Sequence, residues 1–410
     1  MSAAEGETHE ETTEDAPPSP KVSGTRPKVT REPPTLWQRA TYRWTAVTAV
    51  MAALLVLYTQ HPYYQGAQFA PWRPFYTTAF FLWLVFGVVY VKKTLERFPE
   101  RRYVMRDGAL HLLILARAWQ DKRFWRVAKN PRVRTTLLGM CVKGFFTPLM
   151  TGFVTGHANA IAGAWLRHKN LPPLKIDIPR GTNLLAGAMS WFSQMKARLP
   201  DLVPAFSDFS GLFHPDTWTR ADVSWGLGLT YDIVFFVDCG FALVGYATES
   251  RWMGNKTKSV EPTPFGWLVC LACYPPYNNV LGTYLPLENG IQRITGENAL
   301  LALRALTVLL FAIYASATVA FGAKFSNLTN RGIVSRGPYR LVRHPAYLCK
   351  CTAWWLEHLP TITPTKAFFL SLLCGVYALR AWTEERHLSR DPDYRAYKKK
   401  VPWVLLPGVY

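Results

Sequence analysis

Glu297-Asn-Ala-Leu-Leu-Ala-Leu-Arg-Ala-Leu-Thr-Val-Leu-Leu-Phe-Ala-Ile-Tyr-Ala-Ser-Ala-Thr-Val-Ala-Phe-Gly-Ala323 is the stretch that decides the fold. About twenty apolar residues in helical conformation cross a hydrocarbon layer of about 30 Å. This run exceeds that length, and Arg304 is its only cation. Stretches of the same kind occur at about 44–60, 72–91, 135–164, 225–249 and 264–284. Two shorter ones follow at about 346–359 and 365–383, separated by Pro360 and Pro364. Only helices and closed barrels satisfy every backbone group in lipid. The expected fold is therefore all-α: a polytopic helical membrane protein with six spans plus a C-terminal helical hairpin.

Composition agrees. Apolar residues make up 49% of the 410, aromatics 14% and charged residues 18%; soluble domains carry about 25% charged residues. A disordered chain, a coiled coil, a collagen and a disulfide scaffold are excluded. The net charge of +20 lies in particular loops. Residues 92–134 hold thirteen Lys and Arg and residues 324–345 hold five, whereas 61–71 holds none and 285–296 only Arg293. By the positive-inside rule, both termini are expected in the cytoplasm. The exception is the long 165–224 loop with seven, and long loops follow the rule poorly. The basic rim points to anionic headgroups. No nucleic-acid partner is expected, because no aromatic-interleaved basic platform appears.

Residues 1–34 are polar, with no apolar run, and read as a disordered tail. Residues 35–296 read as a multi-span region with interfacial helices, one over 109–119 and a second membrane-surface element over 186–213. The seven cysteines read as buried thiols. Cys270-Leu-Ala-Cys273 has metal spacing but no second pair and no neighbouring His, so no metal is expected. Asp232 and Asp238 are intramembrane candidates, six apart and so about 120° from sharing one face. Lys143 is a third. Cys273-Tyr-Pro-Pro-Tyr-Asn-Asn279 interrupts its span with two prolines and is expected either to line an acceptor cavity or to be a simple kink.

The densest polar cluster lies in 297–410. It runs Gly337-Pro-Tyr-Arg-Leu-Val-Arg-His-Pro-Ala-Tyr347, then the hairpin, then Arg380-Ala-Trp-Thr-Glu-Glu-Arg-His387, then Asp393-Tyr-Arg-Ala-Tyr-Lys-Lys-Lys-Val-Pro402. A hairpin returns the chain to the face it left, which brings Arg340, Arg343, His344 and Tyr347 toward Glu384, Glu385, Tyr394 and Tyr397. The set offers guanidinium forks for carboxylate or phosphate, carboxylates for an ammonium or a ribose diol, and aromatic faces for a cation or purine. S-adenosylmethionine presents all these partners, and a nicotinamide dinucleotide presents several, so the chemistry leaves both open. The bland alternative is a basic rim of snorkelling Arg and anchoring Tyr, with Arg380 and Glu384 a plain i,i+4 pair.

The ordered strings resemble the integral-membrane methyltransferase superfamily, which includes isoprenylcysteine carboxyl methyltransferases and phospholipid methyltransferases. The likeness covers about residues 300–410. It implies S-adenosylmethionine contacts at Tyr339, Arg343, His344, Pro345, Tyr347, Glu384 and Glu385, with Arg343 and Glu384 as catalytic residues, and a membrane lipid or lipid-like acceptor. Two departures stand out. Many members have Gly where this chain has Cys349, followed here by Lys350. Residues 401–410 also look like the carboxyl end of membrane sterol reductases, which use NADPH. The expected activity is methyl transfer to a lipidic or amphiphilic acceptor at the cytoplasmic face. An NADPH-dependent reductase and a non-catalytic relative are the alternatives, and a bacterial inner membrane is favoured over an endoplasmic reticulum membrane. A carboxylate acceptor needs no base; an amine or hydroxyl acceptor would draw on Glu357, His358 or Glu385.

Overall fold

The computed structural model describes residues 33–66, Phe69, 73–98, 104–172, scattered positions within 186–203, 218–250, 252–285, 287–288 and 290–409. The expected disordered tail lies outside the described residues, apart from its last two positions, and most of the 186–213 element lies outside them too. What is described is almost wholly helical. Helix α1 (Leu36–Gln60) pairs with α2 (Arg73–Arg97) through two indoles: Trp44 Nε1 donates to the Trp83 carbonyl at 3.2 Å, and Trp83 Nε1 donates to Thr48 Oγ1 at 3.0 Å. The stretch 109–119 lies in a helix, α3 (Val104–Gln120), which packs on α1 and leaves Leu112, Leu113, Ile114 and Trp119 exposed. After the short α4 (Phe124–Ala128), Asn130 caps α5 (Pro131–His168) by accepting the Arg132 N–H at 2.9 Å, with Pro131 in the first turn, where a missing N–H costs nothing.

Helix α5 lies along α6 (Arg220–Ala247), with Phe146 stacked on Tyr246 at 4.8 Å and 10°. Lys143 closes the C-terminus of α6, its ammonium donating to the carbonyls of Tyr246 at 2.9 Å and Thr248 at 3.2 Å. That answers the orphan carbonyls of a helix end and favours a cation there, so Lys143 has a structural task. Asp232 meets His157 of α5 at 3.0 Å, and Asp238 accepts from Tyr314 at 3.1 Å; the two aspartates have separate partners.

The 264–284 stretch is not one span. It is two eight-residue helices, α7 (Pro264–Leu271) and α8 (Tyr277–Tyr284), with Pro275 and Pro276 between them. Each reaches about 12 Å at 1.5 Å per residue, far short of the hydrocarbon thickness. Proline removes a donor and clashes with the preceding turn, which average hydropathy does not register. Among the described residues five helices are long and apolar enough to cross a membrane: α1, α2, α5, α6 and α9 (Glu297–Phe321). Then come α10 (Pro345–His358) and α11 (Pro364–Leu388), the expected hairpin, turned by Leu359–Thr361 and capped at Thr363, and finally α12 (Pro392–Lys400). Helix α10 packs along α9 and against α11. A two-residue antiparallel ladder, Ser259 with Asn330 and Val260 with Thr329, ties the segment after α6 to the segment after α9.

Candidate functional site

Three segments meet at one cavity: the loop 322–334 after α9, the start of α10, and the end of α11 with α12. The space between them is open to solvent. Tyr339, Arg343, His344, Tyr347 and Glu384 line it. Pro345 and Glu385 do not. Pro345 opens α10, and Glu385 sits behind the wall in a cluster of its own.

Glu385 is the hub of that cluster. Its Oε1 accepts from Arg343 Nε at 2.8 Å and Tyr394 hydroxyl at 2.5 Å, and lies 3.1 Å from His344 Nε2; Lys398 Nζ is 2.9 Å from Oε2. Burial alone would push this carboxyl up. The hydrogen bonds from His344, Tyr394 and Lys398 outweigh burial and hold it well below the usual carboxylate range. Arg343 Nη1 donates to the carbonyls of Val401 at 3.0 Å and Pro402 at 2.8 Å. The backbone N–H groups of Arg343 and His344 donate to the carbonyls of Trp403 and Val404 at 3.0 and 2.9 Å. Arg343 is thus a brace between α11 and residues 401–404. The geometry gives it a positioning task, where the sequence reading has it as catalytic.

Glu384 is the carboxylate that faces the cavity, its side chain 27% exposed. The Tyr347 hydroxyl donates to its Oε1 at 2.5 Å and Arg380 Nε at 3.3 Å, while His344 Nδ1 stands 3.8 Å from Oε2. The His344 ring stacks parallel to Tyr347 at 5.5 Å and lies between the two glutamates.

Arg380 and Glu384 do form the i,i+4 pair of the bland reading, but Arg380 does more. It is 3% exposed, donates to Asn327 Oδ1 at 2.5 Å and packs over the rings of Tyr274 and Tyr347. Asn327 in turn donates from Nδ2 to the Tyr274 hydroxyl at 2.8 Å, and its backbone N–H donates to the Tyr246 hydroxyl at 2.9 Å. Tyr274, from the proline-interrupted run, lines the cavity. A continuous polar chain therefore runs Tyr246, Asn327, Arg380, Glu384, Tyr347. Asn327, Tyr314, Lys324 and Arg331 carry no motif, and only their position after a long apolar run marks the loop that holds most of them.

Lys350 also lines the cavity. Its ammonium sits over three rings, Trp354 at 5.2 Å, Tyr377 at 5.3 Å and Tyr314 at 5.6 Å. Each such contact is worth about 0.5–2 kcal/mol. Of the proposed bases, Glu357 and His358 lie at the far end of α10, about 20 Å from His344 along the helix, and Glu385 is taken up in its cluster. His387, at the end of α11, lines the cavity instead and accepts or donates at 3.0 Å to Ser259. Burial lowers its pKa, which favours the neutral ring. Among the described residues no group of His, Cys, Asp and Glu is arranged to hold a metal. Neither models of protein families, nor curated proteins, nor solved structures give a match to this chain.

Proposed function

We propose that this chain is an S-adenosylmethionine-dependent integral-membrane methyltransferase acting on a lipidic or amphiphilic acceptor. One observation supports the reading most: Tyr339, His344, Tyr347 and Glu384, from strings more than thirty-five residues apart, face one cavity beside the end of a membrane-length helix. The donor set fits the cofactor. The Glu384 carboxylate suits a ribose diol or an ammonium, Arg380 suits a carboxylate, and the faces of Tyr339 and Tyr347 suit a purine or a sulfonium. When bound, the cofactor supplies a methyl group already activated on a cationic sulfur.

The chain's own part is alignment and water exclusion. Glu384 orients, its own position fixed by Tyr347 and Arg380. His344 bridges the cavity wall to Glu385. Arg343 and Glu385 keep residues 401–404 closed against the start of α10. His387, neutral and in the cavity wall, is placed to take a proton from an amine or hydroxyl acceptor; a carboxylate acceptor requires no such step. In this reading the site lies at the cytoplasmic face, both termini are cytoplasmic, and α10 and α11 enter the membrane as a hairpin. A bacterial inner membrane is the favoured setting.

The test is calorimetry on the detergent-purified protein with S-adenosylmethionine and NADPH. Saturable S-adenosylmethionine binding that is lost in His344→Ala supports the proposal. Binding of NADPH alone moves the chain to the reductases, and binding of neither overturns the assignment.

A further inference from the structure

Where the two-residue ladder meets the end of α11, a hydroxyl, an imidazole and a carboxylate stand in line. Ser259 Oγ lies 3.0 Å from His387 Nε2. On the other side of the ring, His387 Nδ1 lies 4.0 Å from Glu261 Oε2. The serine and the histidine are 128 residues apart in the chain, so the fold makes this meeting and no local pattern does.

The carboxylate is held in place. Glu261 is 2% exposed, and its Oε1 accepts from the Thr263 backbone N–H at 3.0 Å, from the Thr263 hydroxyl and from Arg386 Nη2 at 3.0 Å. Its Oε2 is buried and accepts no hydrogen bond among the described residues. A buried acceptor left unpaired costs about 1–3 kcal/mol, and the group that faces it is His387 Nδ1. Hydrogen bonds of this kind are long in empty sites and tighten when substrate binds. With its proton on Nδ1, toward Glu261, the neutral ring offers the Nε2 lone pair to the Ser259 hydroxyl. A base activates a serine in this order: one nitrogen takes the hydroxyl proton, and a carboxylate holds the other. A Ser–His hydrogen bond that serves packing alone needs no carboxylate behind the ring.

A substrate can approach. Ser259 is half-buried rather than buried. Its ladder partner Asn330 and its base His387 both line the cavity. Helix α7 starts three residues after Glu261, and its Phe265 and Leu268 are exposed. The exposed Trp382 of α11 meets the Phe265 ring at 6.3 Å. This apolar surface suits an acyl chain.

We propose that Ser259, His387 and Glu261 form a nucleophilic site that hydrolyses carboxylic esters with an apolar acyl chain, an activity separate from methyl transfer. Ser259 Oγ bonds to the acyl carbon while its proton passes to His387 Nε2. The ester C–O bond breaks, and the alcohol leaves with that proton. Water then gives a proton to Nε2 as its oxygen bonds to the acyl carbon. The Oγ–acyl bond breaks, the acid departs and Oγ regains the proton. Glu261 is a positioning residue: it fixes the tautomer of His387 and stabilises the ring while it carries its second proton. No cofactor takes part.

The experiment treats the full chain in dodecyl maltoside with a fluorophosphonate, which phosphonylates activated serines, and locates the adduct by peptide mass spectrometry. Hydrolysis of p-nitrophenyl butyrate gives the turnover. Labelling at Ser259 is expected in the wild type, with both label and turnover lost in Ser259→Ala. His387→Gln keeps a polar side chain and cannot take the proton; it is expected to lose the label and to slow turnover about a hundredfold. Glu261→Gln keeps the acceptor for Thr263 and Arg386 and removes the charge; it is expected to lower kcat and leave KM unchanged, a split that loosened packing does not give. Thermal unfolding of each variant checks that it is folded. A wild type unlabelled at Ser259, or equal labelling in a folded His387→Gln, overturns the site. An imidazole that serves a methyl acceptor alone leaves Ser259 unlabelled. S-adenosylmethionine is titrated into the same preparation, so failure of the methyltransferase reading shows in that titration and leaves the labelling result standing.

Discussion

Replacing Glu385 with Ala removes the centre of four interactions at once. Arg343, with a side chain 7% exposed, is then left without its carboxylate and keeps only the Val401 and Pro402 carbonyls. Stranding a buried charge in this way costs about 3–5 kcal/mol. The reverse truncation is milder. Arg343→Met leaves Glu385 with His344, Tyr394 and Lys398, so the loss is nearer one charge-assisted hydrogen bond, about 1.5–3 kcal/mol. The double variant should recover what the pair shares, giving a coupling of about 1.5–3 kcal/mol in a double-mutant cycle. The assay is equilibrium unfolding in mixed micelles for the wild type, both single variants and the double variant, with protease sensitivity of residues 401–409 as a local readout. Single-variant losses that add within about 0.5 kcal/mol, or a Glu385→Ala protein as stable as wild type, would refute the view that this cluster closes the site.

The same carboxyl sets an acid limit. Its folded pKa lies below the ordinary 4.5, so its stabilisation is complete above that value and is lost as pH falls through the folded pKa. Unfolding midpoints measured from pH 6 to pH 3 should fall in the wild type and fall less steeply in Glu385→Gln. Glu384→Gln keeps an acceptor for Tyr347 and Arg380 yet removes the charge facing the cavity; S-adenosylmethionine affinity should drop at least tenfold by calorimetry while the unfolding free energy changes by about 1–3 kcal/mol. Lys143→Met should destabilise the fold by about 1–3 kcal/mol through the uncapped carbonyls of Tyr246 and Thr248, with cofactor affinity unchanged in the same calorimetric titration. In Gly245→Ala the added methyl runs into the Phe325 carbonyl, and backbone on both sides cannot give way; a loss of about 1–3 kcal/mol in unfolding free energy is expected.

Hydropathy makes α1, α2, α5, α6 and α9 legible because crossing a bilayer imposes a length and a composition on a single contiguous segment. Some bounds differ: α1 begins eight residues before its apolar run and α5 extends four residues past each end of its own, on residues such as Arg39, Arg132 and Arg167. The 264–284 stretch misleads for the same reason: averaged apolarity hides what Pro275 and Pro276 do to the backbone. At the site, spacing alone brings His344 and Tyr347 to Glu384 and Glu385, because a hairpin must return. It does not say which carboxylate turns inward. Two adjacent helical residues point about 100° apart, and here Glu385 faces the α12 tyrosines while Glu384 faces the cavity. Nor does any local pattern announce that Asn327 joins Tyr274 to Arg380, partners separated by 53 residues on each side.

The clasp between residues 343–344 and 403–404 has a consequence for synthesis. Strings at 337–347 and 380–397 can leave the ribosome and fold back on each other, but the wall they form stays unfastened until residues 401–404 have also emerged. A nascent chain therefore carries an open, charged seam, Arg343 against Glu385, for as long as translation of that segment takes. A product that stops short of Val401 keeps the seam open permanently. Such a seam distinguishes a finished molecule from an unfinished one.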